Sequence, residues 1–223
     1  MCGRFTIHSR PEEIESRFHL TVDRDRYAPT YNASPGKILP VITNSEPQQL
    51  AFFKWGLVPF WASDPKIGNR LINARAETLT EKPSFRSAVE QRRCLIPVNG
   101  FYEWRRSKTT KQPYYITLTD QKLFALAGLW ESWQDPSGKL LRTFAIITVP
   151  PNEFMQPIHN RMPAILAPSD ERLWLQQPFT KDLLTVLQPY TATPLTAHPV
   201  SPQVNTPDQE GKALIQPLKT GLF

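Results

Sequence analysis

The sequence predicts an α+β fold: a single domain around a curved, mostly antiparallel sheet or open β-barrel, with a few flanking helices. One observation behind this prediction is that the chain has 23 prolines but only 9 glycines. Prolines at this frequency divide a chain into short elements joined by rigid turns. The other is that most of the short apolar runs are rich in β-branched and aromatic residues, which favours strands, while only three or four stretches have a helical pattern.

The first predicted element is a short strand at residues 3–7 that buries Phe5. Ser9 and Glu12 fit a capping box, and Ile14 and Phe18 form an apolar stripe, so a helix is expected through residue 19. A second helix, over 84–93, ends in basic residues that suit the negative C-terminal end of a helix dipole. Further helices are expected at 169–175 and 181–187. Strands are predicted at 38–43, 50–57, 94–98, 100–105, 114–119, 123–130, 142–149 and 162–166, with strand-like patches near 199–200 and 214–215.

Composition limits the class of protein. The 223 residues, 40% of them hydrophobic, suffice for one large domain or two small ones. Because no compositional break or linker is visible, we predict one domain over residues 1–223, with the residues after about 205 as a C-terminal tail packing on it. No apolar run is long enough for a membrane span, and no secretory signal is present. Two cysteines make a poor disulfide framework, so a reducing, cytoplasmic location is expected.

The N-terminus carries the most unusual chemistry in the chain. Cys2 follows Met1 directly, and methionine aminopeptidases act when the second side chain is small, so Cys2 is expected to become the mature N-terminus. That residue then carries an α-amine and a thiol, with reference pKa values of about 8 and about 8.5. The amine forms a Schiff base with an aldehyde, and the thiol closes on the imine to give a thiazolidine. The alternative is that Cys2 is only a small residue at a frayed terminus.

Three polar residues stand out from their surroundings. Asn73 ends an apolar run, and is either a turn residue or a functional amide. Glu103 lies between large aromatic residues on a predicted strand, where partial desolvation would raise its pKa and suit it to move protons. The alternative is an exposed carboxylate paired with Arg105. His159 lies in a segment bounded by prolines, where it is either structural or an acid or phosphate contact.

Basic and aromatic residues suggest a partner of opposite charge. The net charge of +6 and the isoelectric point near 9.4 are compatible with a polyanion but do not require one. Single-stranded nucleic acid is bound by a stacking face together with phosphate contacts. The residues that would supply them here are Trp61, Arg4, Arg75, Arg161 and the basic turn at 106–111. No metal-ligand spacing is present, so no metal is expected.

Eight short motifs, taken in order, resemble those of the SRAP family, the SOS response-associated peptidases that are also called abasic site processing proteins. They are residues 1–5 (MCGRF), 31–36 (YNASPG), 55–59 (WGLVP), 73–78 (NARAET), 93–97 (RCLIP), 100–104 (GFYEW), 158–163 (IHNRMP) and 198–200 (HPV). No single motif is decisive, but the ordered set spans almost the whole domain.

The resemblance implies covalent capture of abasic sites in single-stranded DNA through a thiazolidine at the N-terminal cysteine, with weak lyase activity. The residues that it implies are Cys2, Asn73, Glu103 and His159 for catalysis, and Arg4, Asn32, Pro35, Trp61, Arg75 and Arg161 for DNA binding. A role in the SOS response to DNA damage, a monomer and the absence of a cofactor are also expected. Two alternatives stay open: a thiol peptidase or autopeptidase using Cys2, and a non-catalytic module that binds single-stranded DNA.

Overall fold

The structure is a computed structural model and describes residues 2–107, 109–119, 122–191 and 193–218. In these residues the predicted α+β class is confirmed, because two β layers form the body of the protein and short helices flank them. The strands are β1 (Arg4–Ile7), β2 (Thr30–Ala33), β3 (Ile38–Thr43), β4 (Ala51–Trp55), β5 (Asn73–Arg75), β6 (Arg93–Val98), β7 (Gly100–Arg106), β8 (Lys111–Leu118), β9 (Phe124–Gln134), β10 (Leu140–Val149), β11 (Met162–Pro163), β12 (Ile165–Leu166) and β13 (Leu195–Pro199). The helices are α1 (Pro11–Phe18), α2 (Pro83–Gln91) and α3 (Pro168–Gln176), with 3-10 helices at Pro65–Arg70, Ala76–Thr78, Lys181–Val186, Pro202–Asn205 and Lys212–Ile215.

Five strands close into a barrel. Strands β4, β3, β6, β9 and β10 pair antiparallel in that order, and β10 returns to pair parallel with β4 through Thr143–Lys54 and Phe144–Trp55. The sheet therefore curves until its first and last strands pair, which makes a closed barrel and not an open one. Closure removes the edges of this sheet, which would otherwise present unpaired backbone groups. The short strands β5, β11 and β12 attach outside the ring, to β10, β10 and β9 respectively.

A five-stranded antiparallel sheet, in the order β13-β8-β7-β1-β2, packs beside the barrel. Strand β1 lies inside it, with Arg4 opposite Tyr102 and Phe5 opposite Phe101. Since a strand's side chains alternate between two faces, the register decides which residues face the barrel. Phe5 and Phe101 belong to the main core with the barrel residues. The N-terminal strand is thus held by a partner on each side and is not a loose terminus.

The opposite face of this sheet is covered by the C-terminal part of the chain. Tyr102 and Tyr115 form a second core with Val200, Val204 and Leu214. The side chain of Asn32 is fully buried, and its Nδ2 lies within hydrogen-bonding distance of the backbone carbonyls of Val204, Thr206 and Gln209 at 2.9–3.4 Å. We call residues 200–218 the C-terminal strap, because this segment crosses the outer face of the sheet.

Arg93 joins two helices to the barrel from within the core. Its side chain is 3% exposed, and its guanidinium donates to four backbone carbonyls. The four acceptors, Val89, Glu90, Trp174 and Gln177, lie at the C-terminal ends of α2 and α3, where helix carbonyls lack partners within the helix. One buried cation therefore satisfies both helix ends.

Two local expectations differ from the structure. The capping interaction predicted at Ser9 and Glu12 occurs one residue later, where the Arg10 N–H donates to Glu13 at 2.8 Å, because Pro11 takes the first helical position. Leu214 and Ile215, predicted as strand-like, lie in the 3-10 helix Lys212–Ile215 that buries Leu214 under the sheet. No helix in the described ranges has the length and apolar character needed to cross a membrane.

Candidate active site beside the first strand

Cys2 is buried where β1 begins. It is fully inaccessible to solvent, and its thiol donates a hydrogen bond to the carbonyl of Arg4 over 3.8 Å. The pairing of β1 with β7 produces this position, since it carries the residues before Arg4 inward along Tyr102 and Glu103. The reading of Cys2 as a residue at a frayed terminus is therefore wrong for this chain. Met1 itself lies outside the described residues.

Asn73 contacts Cys2 directly. Strand β5 pairs parallel with β10, with Asn73 opposite Ile146, and this register brings the side-chain amide to Cys2. Asn73 Nδ2 donates to the backbone carbonyl of Cys2 over 2.9 Å. Within the described ranges, its Oδ1 is buried and accepts no hydrogen bond. The amide therefore fixes Cys2 with its donor and retains an acceptor next to it.

Glu103 is a buried carboxyl group that interacts electrostatically with Cys2. Its side chain is 1% exposed, and burial raises the pKa of Glu103, while positive charges at the amino terminus and at His159 oppose that rise. Burial also raises the pKa of the Cys2 thiol, and the negative charge of Glu103 raises it further. Burial therefore disfavours the charged form of each group.

His159 and Glu103 line one cavity of about 400 Å³. His159 belongs to a turn in which the backbone N–H of Arg161 donates to its Nδ1 over 3.1 Å. The other residues that line the cavity are Gly3, Arg4, Pro35, Ile72, Trp104, Arg106, Lys111 and Asn205. The wall therefore combines a buried acid and an imidazole with three basic side chains.

Arg4 connects Cys2's strand to the C-terminal strap. Its guanidinium donates to the carbonyls of Gly3 at 3.0 Å and of Asn205 at 3.4 Å. Burial lowers the pKa of Arg4, but arginine keeps its charge in proteins. Pro35 lies on the same cavity wall. Of the six side chains predicted to bind DNA, Arg4 and Pro35 are the two that line the cavity.

The other four candidates are placed differently. Arg75 is exposed on β5, two residues from Asn73. Trp61 is 49% exposed and lines a separate cavity with seven nearby residues, Ala62, Ser63, Asp64, Lys66, Ile67, Asn69 and Arg70. The guanidinium of Arg161 forms an ion pair with Glu77. Asn32 is buried under the strap and presents no side-chain surface to a ligand in this conformation, since its amide is engaged by backbone carbonyls.

Two wall residues with hydrogen-bonding side chains, Trp104 and Asn205, were not among the sequence candidates. Trp104 Nε1 donates to Asn205 Oδ1 over 2.8 Å, and Lys111 Nζ lies 5.1 Å from the centre of the indole ring. A signal for Trp104 was present, because it adjoins Glu103 on a strand whose next residues are basic. No local signal marks Asn205, which reaches the site from 101 residues away along the chain.

The described residues contain no group of three His, Cys, Asp or Glu side chains arranged to hold a metal ion. The site's own groups are a buried thiol, an amide, a carboxyl and an imidazole, beside basic side chains.

Comparison with known proteins gives consistent matches over nearly the whole chain. The family profile described as SOS response associated peptidase (SRAP) matches residues 1–207. The chain is 45% identical over 222 residues to a Bacillus subtilis (strain 168) protein named abasic site processing protein YoqW, covering 97% of this chain and 99% of that protein. It is 36% identical over 252 residues to the Xenopus tropicalis abasic site processing protein HMCES, covering 92% of this chain and 75% of that protein. A solved structure of a Bacteroides thetaiotaomicron protein has a TM-score of 0.89 at 29% identity, covering 97% and 99% of the two chains.

Proposed function

Because the chain belongs to the SRAP family, we propose that it processes abasic sites in single-stranded DNA by forming a covalent thiazolidine at Cys2. The relatives named above are called abasic site processing proteins, and the motif resemblance implies the same substrate. One structural observation carries the proposal, namely the group of side chains around Cys2. Cys2 is buried, its carbonyl accepts a hydrogen bond from Asn73, and its thiol interacts electrostatically with Glu103. Glu103 in turn lines one cavity with His159.

The reaction requires Cys2 to be the first residue of the mature chain. Cleavage of the bond between Met1 and Cys2 turns an amide nitrogen into an α-amine, which can attack an aldehyde. An abasic deoxyribose supplies that aldehyde at C1′ when its ring opens. The amine adds to C1′, and loss of one water gives the imine. The Cys2 sulfur then bonds to the imine carbon while the thiol proton passes to nitrogen, so the thiazolidine forms with the net loss of one water.

Glu103 and His159 move the protons in this scheme. His159 donates to the ring oxygen as the sugar opens, and Glu103 relays protons as the hydroxyl leaves as water. A carboxyl group whose pKa is raised by burial suits both giving and taking a proton, because its two forms lie closer in energy near neutral pH. Asn73 holds Cys2 by donating from Nδ2 to the Cys2 carbonyl. Its buried Oδ1 accepts no hydrogen bond within the described residues, and in this scheme it accepts one from the Cys2 amine.

The same imine acidifies C2′. Loss of that proton followed by expulsion of the 3′ phosphate breaks the strand, which accounts for a weak lyase activity. Closure by the neighbouring thiol competes with this elimination, because the sulfur belongs to the same residue as the imine nitrogen and is close to it throughout. We therefore expect thiazolidine to be the main product.

Basic residues at the cavity give the DNA its path. We propose that Arg4 and Pro35, which line the cavity, and the exposed Arg75 contact the DNA backbone close to the abasic sugar. Trp61 is exposed at a second cavity and would stack a base farther along the strand. Arg161 lies two residues from His159 with its guanidinium paired to Glu77, and Asn32 supports the wall through the strap.

A peptidase that uses the Cys2 thiol is the main alternative. Thiol peptidases attack with the thiolate, and burial here raises the pKa of Cys2, which disfavours that form. The imine route is less affected, because the amine attacks first and the thiol adds later with its own proton.

The test compares three forms of the mature protein on single-stranded abasic DNA. Wild type is expected to give an adduct that survives heat without a reducing agent. Cys2→Ser and Cys2→Ala both retain the α-amine but lack the thiol, so each is expected to give an adduct only after borohydride reduction and no adduct that survives heat without it. A heat-stable adduct with Cys2→Ala would refute the proposal. Equal binding of intact and abasic DNA without any adduct would support a non-catalytic binding module instead.

A further inference from the structure

Glu77 and Arg161 form a two-pronged ion pair beside the candidate site. Arg161 Nη1 donates to one carboxylate oxygen of Glu77, and Nη2 donates to the other over 2.9 Å. Nη2 also donates to the backbone carbonyl of Thr148 in β10 over 2.6 Å. The Arg161 side chain is 14% exposed, while that of Glu77 is 45% exposed. The guanidinium is therefore held between a 3-10 helix and the barrel wall.

The backbone of Arg161 sets the state of a neighbouring ring. Its N–H donates to His159 Nδ1 over 3.1 Å, and a backbone amide can only donate. Nδ1 must then accept, so the neutral imidazole carries its proton on Nε2. The Arg161 carbonyl lies 3.2 Å from the same nitrogen and would accept a hydrogen bond from it in the tautomer that carries the proton on Nδ1. A small displacement of Arg161 would change which of the two contacts is made, and hence where the ring proton lies.

We propose that Glu77 is a positioning residue for His159. By anchoring the Arg161 side chain, it fixes the turn at residues 159–161 and thereby keeps the proton of the neutral His159 ring on Nε2. This inference rests on the proposed function, in which His159 donates the proton that opens the sugar ring. His159 lines the cavity, and its Nδ1 accepts a hydrogen bond from the backbone of the turn. Nε2 is therefore the nitrogen that donates the proton to the sugar.

A different role for Glu77 makes an opposite prediction. Glu77 could instead serve only to neutralise the charge of Arg161. Removing the carboxylate would then free the guanidinium for DNA phosphates and would also remove a negative charge near the DNA. Affinity for single-stranded DNA would then rise, while the rate of the chemical step at saturating DNA would stay the same. A positioning role predicts a lower rate with little change in affinity, so the two roles are separable.

The experiment uses Glu77→Ala and Glu77→Gln, with Glu81→Ala as the matched control, since Glu81 is exposed and its loss changes the charge equally. Three quantities are measured: the single-turnover rate of adduct formation at saturating abasic DNA, the affinity for an intact oligonucleotide of the same length, and the ring 15N shifts of His159 in the free protein. For Glu77→Ala we expect the rate to fall roughly 10- to 100-fold, the scale on which displaced catalytic groups lose rate. We expect its affinity to match that of Glu81→Ala, and its ring shifts to move away from the pure Nε2–H form.

Glu77→Gln supplies the rescue, because its amide oxygen still accepts from Arg161, and its rate should lie between those of wild type and Glu77→Ala. It also carries the test if Glu77→Ala does not fold. Unchanged ring shifts with an unchanged rate would overturn the inference, and so would tighter DNA binding at an unchanged rate. If wild type forms no adduct, the proposed function fails, whereas the ring shifts still decide whether Glu77 positions His159.

Discussion

The side-chain amide of Asn73 donates a hydrogen bond over 2.9 Å to the backbone carbonyl of Cys2, linking segments that lie 71 residues apart in the chain. Cys2 is the residue on which the proposed chemistry depends, and Asn73 belongs to a strand fixed to the barrel. The barrel therefore determines where the reactive residue lies, which makes the hydrogen bond a direct subject for mutation.

Asn73→Asp is expected to impair adduct formation more than Asn73→Ala does. Alanine removes the donor, whereas an ionised aspartate would place negative charge against the Cys2 carbonyl. Loss of the bond itself should cost about 1 kcal/mol of stability in Asn73→Ala. Adduct kinetics and urea unfolding measure the two effects. An Asp variant that reacts as fast as wild type would contradict this role for Asn73.

Replacement of Glu103 by Gln should make the free energy of unfolding less sensitive to a rise in pH. Burial raises the pKa of Glu103, so the folded state binds its proton more tightly than the unfolded state does. The stability contributed by the protonated carboxyl is fully present below the unfolded pKa of about 4.3, and it is lost as the pH rises through the folded pKa. Glu103→Gln does not suffer this loss, so its stability relative to wild type should rise with pH across that window.

Urea unfolding of both proteins from pH 4 to pH 8 tests this expectation. A constant difference between them at all pH values would show that Glu103 has no raised pKa. The variant should also form adduct more slowly, since an amide cannot relay a proton. Gaining stability while losing activity is the pattern expected of a buried catalytic acid.

Arg93→Met should be among the most destabilising single changes in the chain. It leaves four backbone carbonyls at the ends of α2 and α3 without their donor. Each buried group left unsatisfied costs about 1–3 kcal/mol, so a total of at least about 4 kcal/mol is expected for the four carbonyls. Arg86→Met, at an exposed position of α2, is the matched control and should change stability little. Similar unfolding midpoints for the two variants would contradict the assignment.

Asn32→Ala is expected to loosen the C-terminal strap. The change removes the donor near the carbonyls of Val204, Thr206 and Gln209, so protease cleavage within residues 200–218 should become faster. Adduct formation should fall with it, because the strap carries Asn205, which accepts from Arg4 and Trp104 at the cavity. Weaker DNA binding with an unchanged protease pattern would instead indicate a direct contact between Asn32 and DNA.

Arg75→Ala should reduce the salt dependence of binding to single-stranded DNA. If the exposed Arg75 neutralises one phosphate, the slope of log K against log salt should become shallower by about 0.7. Arg86→Ala provides the control for loss of an exposed arginine elsewhere on the surface. Equal slopes for wild type and Arg75→Ala would remove Arg75 from the proposed DNA path.

Much of the fold could be predicted because its signals are local. Strands such as Ile38–Thr43 and Gly100–Arg106 follow from β-branched and aromatic runs, and the three α-helices each begin at a proline. Closure of the barrel was not predictable in this way. It depends on a parallel pairing of Phe144 with Trp55, residues far apart in sequence whose contact leaves no periodic pattern.

The candidate site shows the same division. Cys2, Asn73, Glu103 and His159 could be selected as candidates because each is chemically out of place in its own segment, and the motif order supports them together. The burial of Asn32 was not recognisable, since its acceptors come from the other end of the chain. Asn205 could not be predicted for the same reason, because no feature of the sequence around it indicates a contact with Trp104.

The central claim is that one residue supplies both the nitrogen and the sulfur that capture the sugar. Intact mass spectrometry of the mature protein mixed with a single-stranded abasic oligonucleotide tests it most directly. The account predicts a species whose mass equals protein plus oligonucleotide minus one water, and which does not gain mass on borohydride treatment because no imine remains. An adduct that gains two hydrogens, or the absence of any adduct with the mature protein, would contradict it.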